Sequence, residues 1–134
     1  LCELAQVFGI FRPPRGNNRQ TRKTAANLVI KYRLNSQKYG RMCSGCHTGG
    51  GVTQPSLFDF SSADASHATL VNQASTLHRD KTLFTPGDSS QSYLVDNLTG
   101  NQQGGARMPM RSAPLDDELI TAVRSWIDQG AKRN

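Results

Sequence analysis

Residues 41–50, RMCSGCHTGG, place Cys43 and Cys46 two residues apart, with His47 directly after the second cysteine. Three chemistries use such a stretch. Two thiolates can join a zinc site, a dithiol can cycle with its disulfide, and a Cys-x-x-Cys-His run can tether a haem. Each makes a different demand on the remaining residues.

A structural zinc site takes four ligands, commonly as two pairs. Beyond Cys43, Cys46 and His47 the chain offers His67 and His78 but no second Cys-x-x-Cys. An imidazole directly behind a cysteine is also not the spacing of a zinc pair. A thioredoxin-like dithiol belongs at a helix N-terminus between strands. Here the flanks read as a short helix capped by Asn35 or Ser36 and the glycine-rich run TGGGVTQP, 48–55. Haem attachment fits best. Thiols two residues apart reach vinyl groups on adjacent pyrrole rings, and the next residue turns beneath to offer an imidazole nitrogen to the iron.

A second iron ligand is sought in GGARMPMRSAPLDDEL, 104–119. Methionine thioether is a soft, neutral ligand that raises the haem potential relative to a second histidine. Met108 follows His47 by 61 residues, enough chain to return on the opposite face of the ring, and Pro109 stiffens its loop. Met110 competes with it, as do His67 and His78, which sit among polar neighbours and read as surface residues. Met42 adjoins the tether on the His47 side. A methionine otherwise serves as core filler.

The local patterns are those of a mainly α domain with three to five short helices. Residues 63–73 form one, with Ala65, Ala68, Leu70 and Val71 toward one face. Pro86-Gly87 makes a turn, Asp88 or Ser89 caps, Tyr93, Leu94 and Leu98 share a face, and Gly100 stops that helix. Asp116 caps the last helix, Leu115 and Ile120 staple it, and Leu119, Val123, Trp126 and Ile127 form its stripe up to Gly130. ANLVIKYRL, 26–34, is patterned as a short strand.

From about residue 41 to 131 the chain resembles small bacterial monohaem cytochrome c domains of class I. Four landmarks in order carry the resemblance: Cys43 to His47, PGDSSQSYLVDNLTG at 86–100, Arg107-Met108-Pro109, and PLDDELITAVRSWIDQGA at 114–131. The resemblance implies a cytochrome c-like fold wrapped around one covalently bound haem c. Cys43 and Cys46 would be its thioether tethers and His47 and Met108 its axial ligands. It also implies that the final helix crosses the haem helix with Trp126 taking part. Tyr93 and Leu94 would line the pocket, along with Leu57, Phe58 and Phe60. Arg107 would meet a haem propionate, and the Pro55 carbonyl would orient His47. A six-coordinate iron has no vacant position, so the implied activity is electron transfer to redox partner proteins and not enzymatic catalysis. A haem enzyme or ligand sensor would require Met108 to be unbound. Covalent haem is attached outside the bacterial cytoplasm, which implies a periplasmic or extracellular location.

Composition agrees with one domain. At 134 residues, with 36% hydrophobic residues and 12 glycines, the core is modest, and a prosthetic group would enlarge it. No apolar run approaches the ~20 residues of a membrane span. Nor is there a signal peptide, as expected if the numbering starts at or near a mature end. Charge divides the chain at residue 35. Residues 1–35 hold seven basic side chains and only Glu3, which equals the whole net charge of +6, and 36–134 balance nine against nine. We therefore divide the chain into a basic, loop-rich N-terminal extension, 1–35, and a haem domain, 36–134. No aromatic residue is interleaved from Arg12 to Arg22, so nucleic acid is a poor partner. Docking on a partner or a neighbouring subunit is the better reading.

Leu1, Leu4, Ala5, Phe8 and Phe11 add an apolar stripe at helical spacing, and Cys2 is left over from the pair. They motivate an alternative function, a self-assembling or complex-bound cytochrome subunit for long-range electron transport. Leu1 before Cys2 argues against a lipid on that thiol. If Cys2 links copies, non-reducing electrophoresis shows a dimer that Cys2→Ser abolishes; monomer in both samples removes covalent assembly.

Overall fold

The computed structural model describes Cys43, Cys46, His47, Asp59, Phe60 and residues 62–133. The extension 1–35, the strand at 26–34, the cap at Asn35 or Ser36, Met42, Pro55, Leu57 and Phe58 lie outside the described residues. Within them the secondary structure is helical, with three α-helices, one 3₁₀ turn and isolated bridges in place of strands. No helix among the described residues is long and apolar enough to cross a membrane.

Helix α1, Ala63–Leu70, begins where the Ser62 hydroxyl accepts the Ala65 N–H at 3.1 Å. It ends three residues before the patterned limit, because Val71 turns extended and bridges to Phe84. Its buried face also differs from the expected stripe. Ser66 and Leu70, one turn apart, are buried, whereas Ala68 is exposed. Ser66 can be buried because its hydroxyl reaches the carbonyls of Asp59 at 2.9 Å and Ser62 at 2.8 Å.

Residues 82–84 run extended between two neighbours. On one side the Phe84 N–H donates to Leu70 at 3.2 Å and the Leu83 N–H to Gln73 at 2.8 Å. On the other, the N–H groups of Tyr93 and Leu94 donate to Thr82 at 3.0 Å and Leu83 at 3.1 Å. The Leu83 and Phe84 side chains are buried, and the Thr82 and Leu83 carbonyls thus hold the start of the next helix. Between them lies the Pro86-Gly87 turn, with Gly87 at φ +87°. Asp88 caps as expected, but it caps a separate 3₁₀ turn, Ser89–Gln91, accepting from the Ser90 and Gln91 N–H groups at 3.0 and 3.2 Å.

Helix α2, Tyr93–Thr99, follows and stops at Gly100, left-handed at φ +85°. Helix α3, Asp117–Asp128, packs on α2 and on the 3₁₀ turn. Leu119, Val123, Trp126 and Ile127 are buried as patterned, and Leu115 and Ile120 belong to the same cluster. Asp116 stands at the N-cap position, yet its side chain makes no capping bond. The cluster joins Phe60, Leu70, Leu83, Phe84, Tyr93 and Val95 to these α3 residues. Trp126 meets Phe84 edge to face at 5.8 Å and donates its indole N–H to the Lys132 carbonyl at 2.9 Å.

The 3₁₀ turn is pinned to the end of α3. The Gly87 N–H donates to the Ile127 carbonyl at 2.7 Å, and the Ser89 N–H to the Asp128 carboxylate at 2.8 Å. A carboxylate at a helix C-terminus opposes the helix dipole, so this bond has to outweigh that cost. Asp128→Ala is expected to lower stability by about 1 kcal/mol in urea titration. Asp128→Asn, which keeps the acceptor without the charge, should match the parent. An unchanged Asp128→Ala would show the pin to be energetically idle.

Candidate functional site

Cys43 lies in a helix, and its carbonyl accepts the N–H groups of Cys46 at 3.1 Å and His47 at 3.0 Å. These bonds set His47 one turn beyond Cys43. The His47 carbonyl in turn accepts the Phe60 N–H at 2.8 Å, and the two rings meet edge to face at 5.7 Å. Phe60 belongs to the buried cluster, and Cys43 packs against the same cluster. The turn is therefore attached to the core at both ends.

Burial acts on both titratable ends of this turn. It pushes the Cys43 thiol up from its ordinary value, and the neighbouring Cys46 adds to the rise. It pushes the His47 imidazole down, favouring the neutral ring that can bind a metal. The two thiols are not bridged. Among the described residues no three His, Cys, Asp or Glu side chains gather closely enough to hold a metal ion by themselves.

The Met108 loop is built on the C-terminus of α2, where a helix leaves carbonyls without internal donors. The Asp96 carbonyl accepts the Gly100 and Asn101 N–H groups, each at 2.9 Å. The Gln102 amide, with its nitrogen toward Asp96 at 3.3 Å, accepts the Arg107 N–H at 2.9 Å. The Asn97 carbonyl accepts the Met108 N–H at 2.9 Å. Gly100 serves closeness as well as its positive φ, since a Cβ there would lie 3.2 Å from the Arg107 Cδ. Of the two methionines, Met108 is half-buried and Met110 is 53% exposed. The Arg107 guanidinium, expected at a haem propionate, donates to the Ser112 carbonyl at 2.6 Å and to the Met108 carbonyl at 3.4 Å.

His67 and His78, expected at the surface, are half-exposed, and each is also partnered. His67 faces Trp126 edge to face, and its Nε2 bonds the Ala131 carbonyl at 2.9 Å. His78 stacks obliquely on Tyr93, centroids 4.9 Å apart, and its Nε2 bonds the Gln103 carbonyl. A ring nitrogen facing a carbonyl must carry the proton, so neither Nε2 offers a lone pair to a metal.

Tyr93 is buried, with the Lys81 ammonium 5.7 Å from its ring centre, and its hydroxyl has no hydrogen-bond partner among the described residues. Leu94 and Leu98 pack beside it on the cluster. The structure thus gathers Cys43, Phe60, Tyr93 and Leu94 in one cluster, ties His47 to Phe60, and suspends Met108 from α2. Sequence reading missed Asp96, Asn97 and Gln102. The first two act through backbone carbonyls, which leave no mark on residue choice, and only the stop at Gly100 hinted at them.

If the loop hangs on α2, the amides of Asn101 and Met108 exchange with deuterium about tenfold or more slowly than those of Gly104 and Ala106. A Met108 amide as fast as that of Gly104 would detach the loop from the helix.

No family model matches this chain, and neither the curated proteins nor the solved structures give a match.

Proposed function

We propose that residues 36–134 form a cytochrome c-like domain that carries electrons on one covalently bound haem c. The carrying observation is that the Cys43–His47 turn and the Met108 loop are fastened to one buried cluster through Phe60 and α2, while the Nε2 of each of the other two histidines is engaged with a backbone carbonyl.

The residues present fit such a group. Cys43 and Cys46, one helical turn long and unbridged, would hold it by thioethers, and His47 and Met108 would be its axial ligands. The buried Tyr93 hydroxyl has no hydrogen-bond partner among the described residues, which leaves it able to bond a polar edge of a bound group. Once bound, the haem supplies a one-electron ferrous–ferric couple. His47 is held neutral by burial, so its nitrogen is ready without losing a proton first. Phe60, Tyr93 and Leu94 offer apolar walls that exclude water and favour the ferrous charge state.

The rival chemistries find less support. A disulfide oxidoreductase lowers the pKa of its attacking thiol, whereas burial raises that of Cys43. Zinc lacks further ligands among the described residues. With His47 and Met108 both holding the iron there would be no open position, so no catalytic residue is assigned, and the partners would be redox proteins met in the periplasm or outside the cell. The basic extension 1–35 would dock on such a partner or on a neighbouring subunit. Nucleic acid is not among the proposed partners.

The ferric absorption spectrum tests this reading. The parent shows the far-red band of a methionine-to-iron bond and its ferrous form is slow to take carbon monoxide. Met108→Ala loses the band and binds carbon monoxide readily, while Met110→Ala keeps it. A band that survives Met108→Ala, or ready carbon monoxide binding by the parent, would refute Met108 as ligand.

A further inference from the structure

We propose that Arg107 is a positioning residue that braces the Met108 loop, and that its guanidinium works on the protein backbone and not on a bound carboxylate. The inference rests on the His/Met reading above. Three ties surround Met108. Its own N–H is held by Asn97, the N–H of the residue before it by the Gln102 amide, and the chain after it by the Arg107 guanidinium through Ser112. The first two fix the approach from α2. Beyond Met108 the loop turns outward through exposed Met110 and left-handed Arg111, φ +57°. The bond from Arg107 to Ser112, with the weaker one to Met108, closes this outgoing half back on the loop.

The residue type suits the task. A guanidinium presents several donors in a rigid fork and can serve two diverging carbonyls at once, whereas an ammonium is a strongly hydrated point charge. The stem of Arg107 passes close to Gly100, since a Cβ there would lie 3.2 Å from its Cδ. Any side chain at position 100 would require the Arg107 stem to give by a few tenths of an ångström. Without the guanidinium the outgoing half is released, and the open form of the loop, with the Met108 sulfur withdrawn, gains population. An external ligand that competes for the iron binds in proportion to that open fraction.

The test uses the holoprotein with haem attached and imidazole as competing ligand, followed by loss of the far-red ferric band. Arg107→Ala is expected to need about tenfold less imidazole for half-displacement than the parent, with Arg107→Lys between the two. Asp128→Ala, which loosens the opposite end of the domain, should behave as the parent. The brace is overturned if Arg107→Ala stays within about twofold of the parent, or if Asp128→Ala shifts as far, which would make the effect general destabilisation. Should Arg107→Ala fail to fold, Arg107→Lys decides, and parental affinity there overturns the proposal. A parent without the far-red band overturns the His/Met reading and the brace together, so the two failures look different.

Discussion

A helix of seven residues cannot satisfy its own C-terminal carbonyls, and in this domain that shortage organises the site. The Asp96 and Asn97 carbonyls at the end of α2 take their donors from Gly100, Asn101 and Met108. The path of the loop follows from where those donors have to be. The same helix is positioned at its other end by the bonds from Tyr93 and Leu94 to residues 82–83, and on its flank by α3. Shift α2, and the Tyr93 face and the Met108 loop shift with it.

Some of this was legible in residue order. The PGD turn, the stop at Gly100 and the stripe of α3 are local features. A left-handed glycine, a carboxylate cap and an i, i+3, i+4 pattern act within a few residues of themselves. Where local reading failed, a distant contact had taken over. Val71 leaves the helix because Phe84 pairs with it, and Ser66 displaces Ala68 from the buried face because Asp59 and Ser62 accept its hydroxyl. Asp116 sits where a cap belongs but does not cap. His67 and His78 looked solvated from their neighbours in sequence, and each turned out to meet an aromatic ring from 15 or more residues away. The residue types of the candidate site could be named from the chain, but the backbone acceptors that position them could not.

The Cys43–His47 turn is chemically ambiguous by itself. Burial raises the Cys43 thiol and lowers the His47 imidazole, which disfavours a reactive thiolate at Cys43 and is compatible with the proposed tethered, imidazole-bound iron. The second half of the proposed site depends on different physics, the hydrogen bonding of a loop around a half-buried methionine. Arg107 belongs to that half, its guanidinium directed at the Ser112 and Met108 carbonyls.

The proposed function depends first on Cys43 and Cys46 being thioether tethers. Mass analysis of the proteolytic fragment spanning residues 42–79, from protein produced where covalent haem attachment operates, tests it most directly. One haem is expected on the fragment, retained after denaturation and organic extraction, with neither thiol open to alkylation. A fragment of unmodified mass whose two cysteines both alkylate would contradict it.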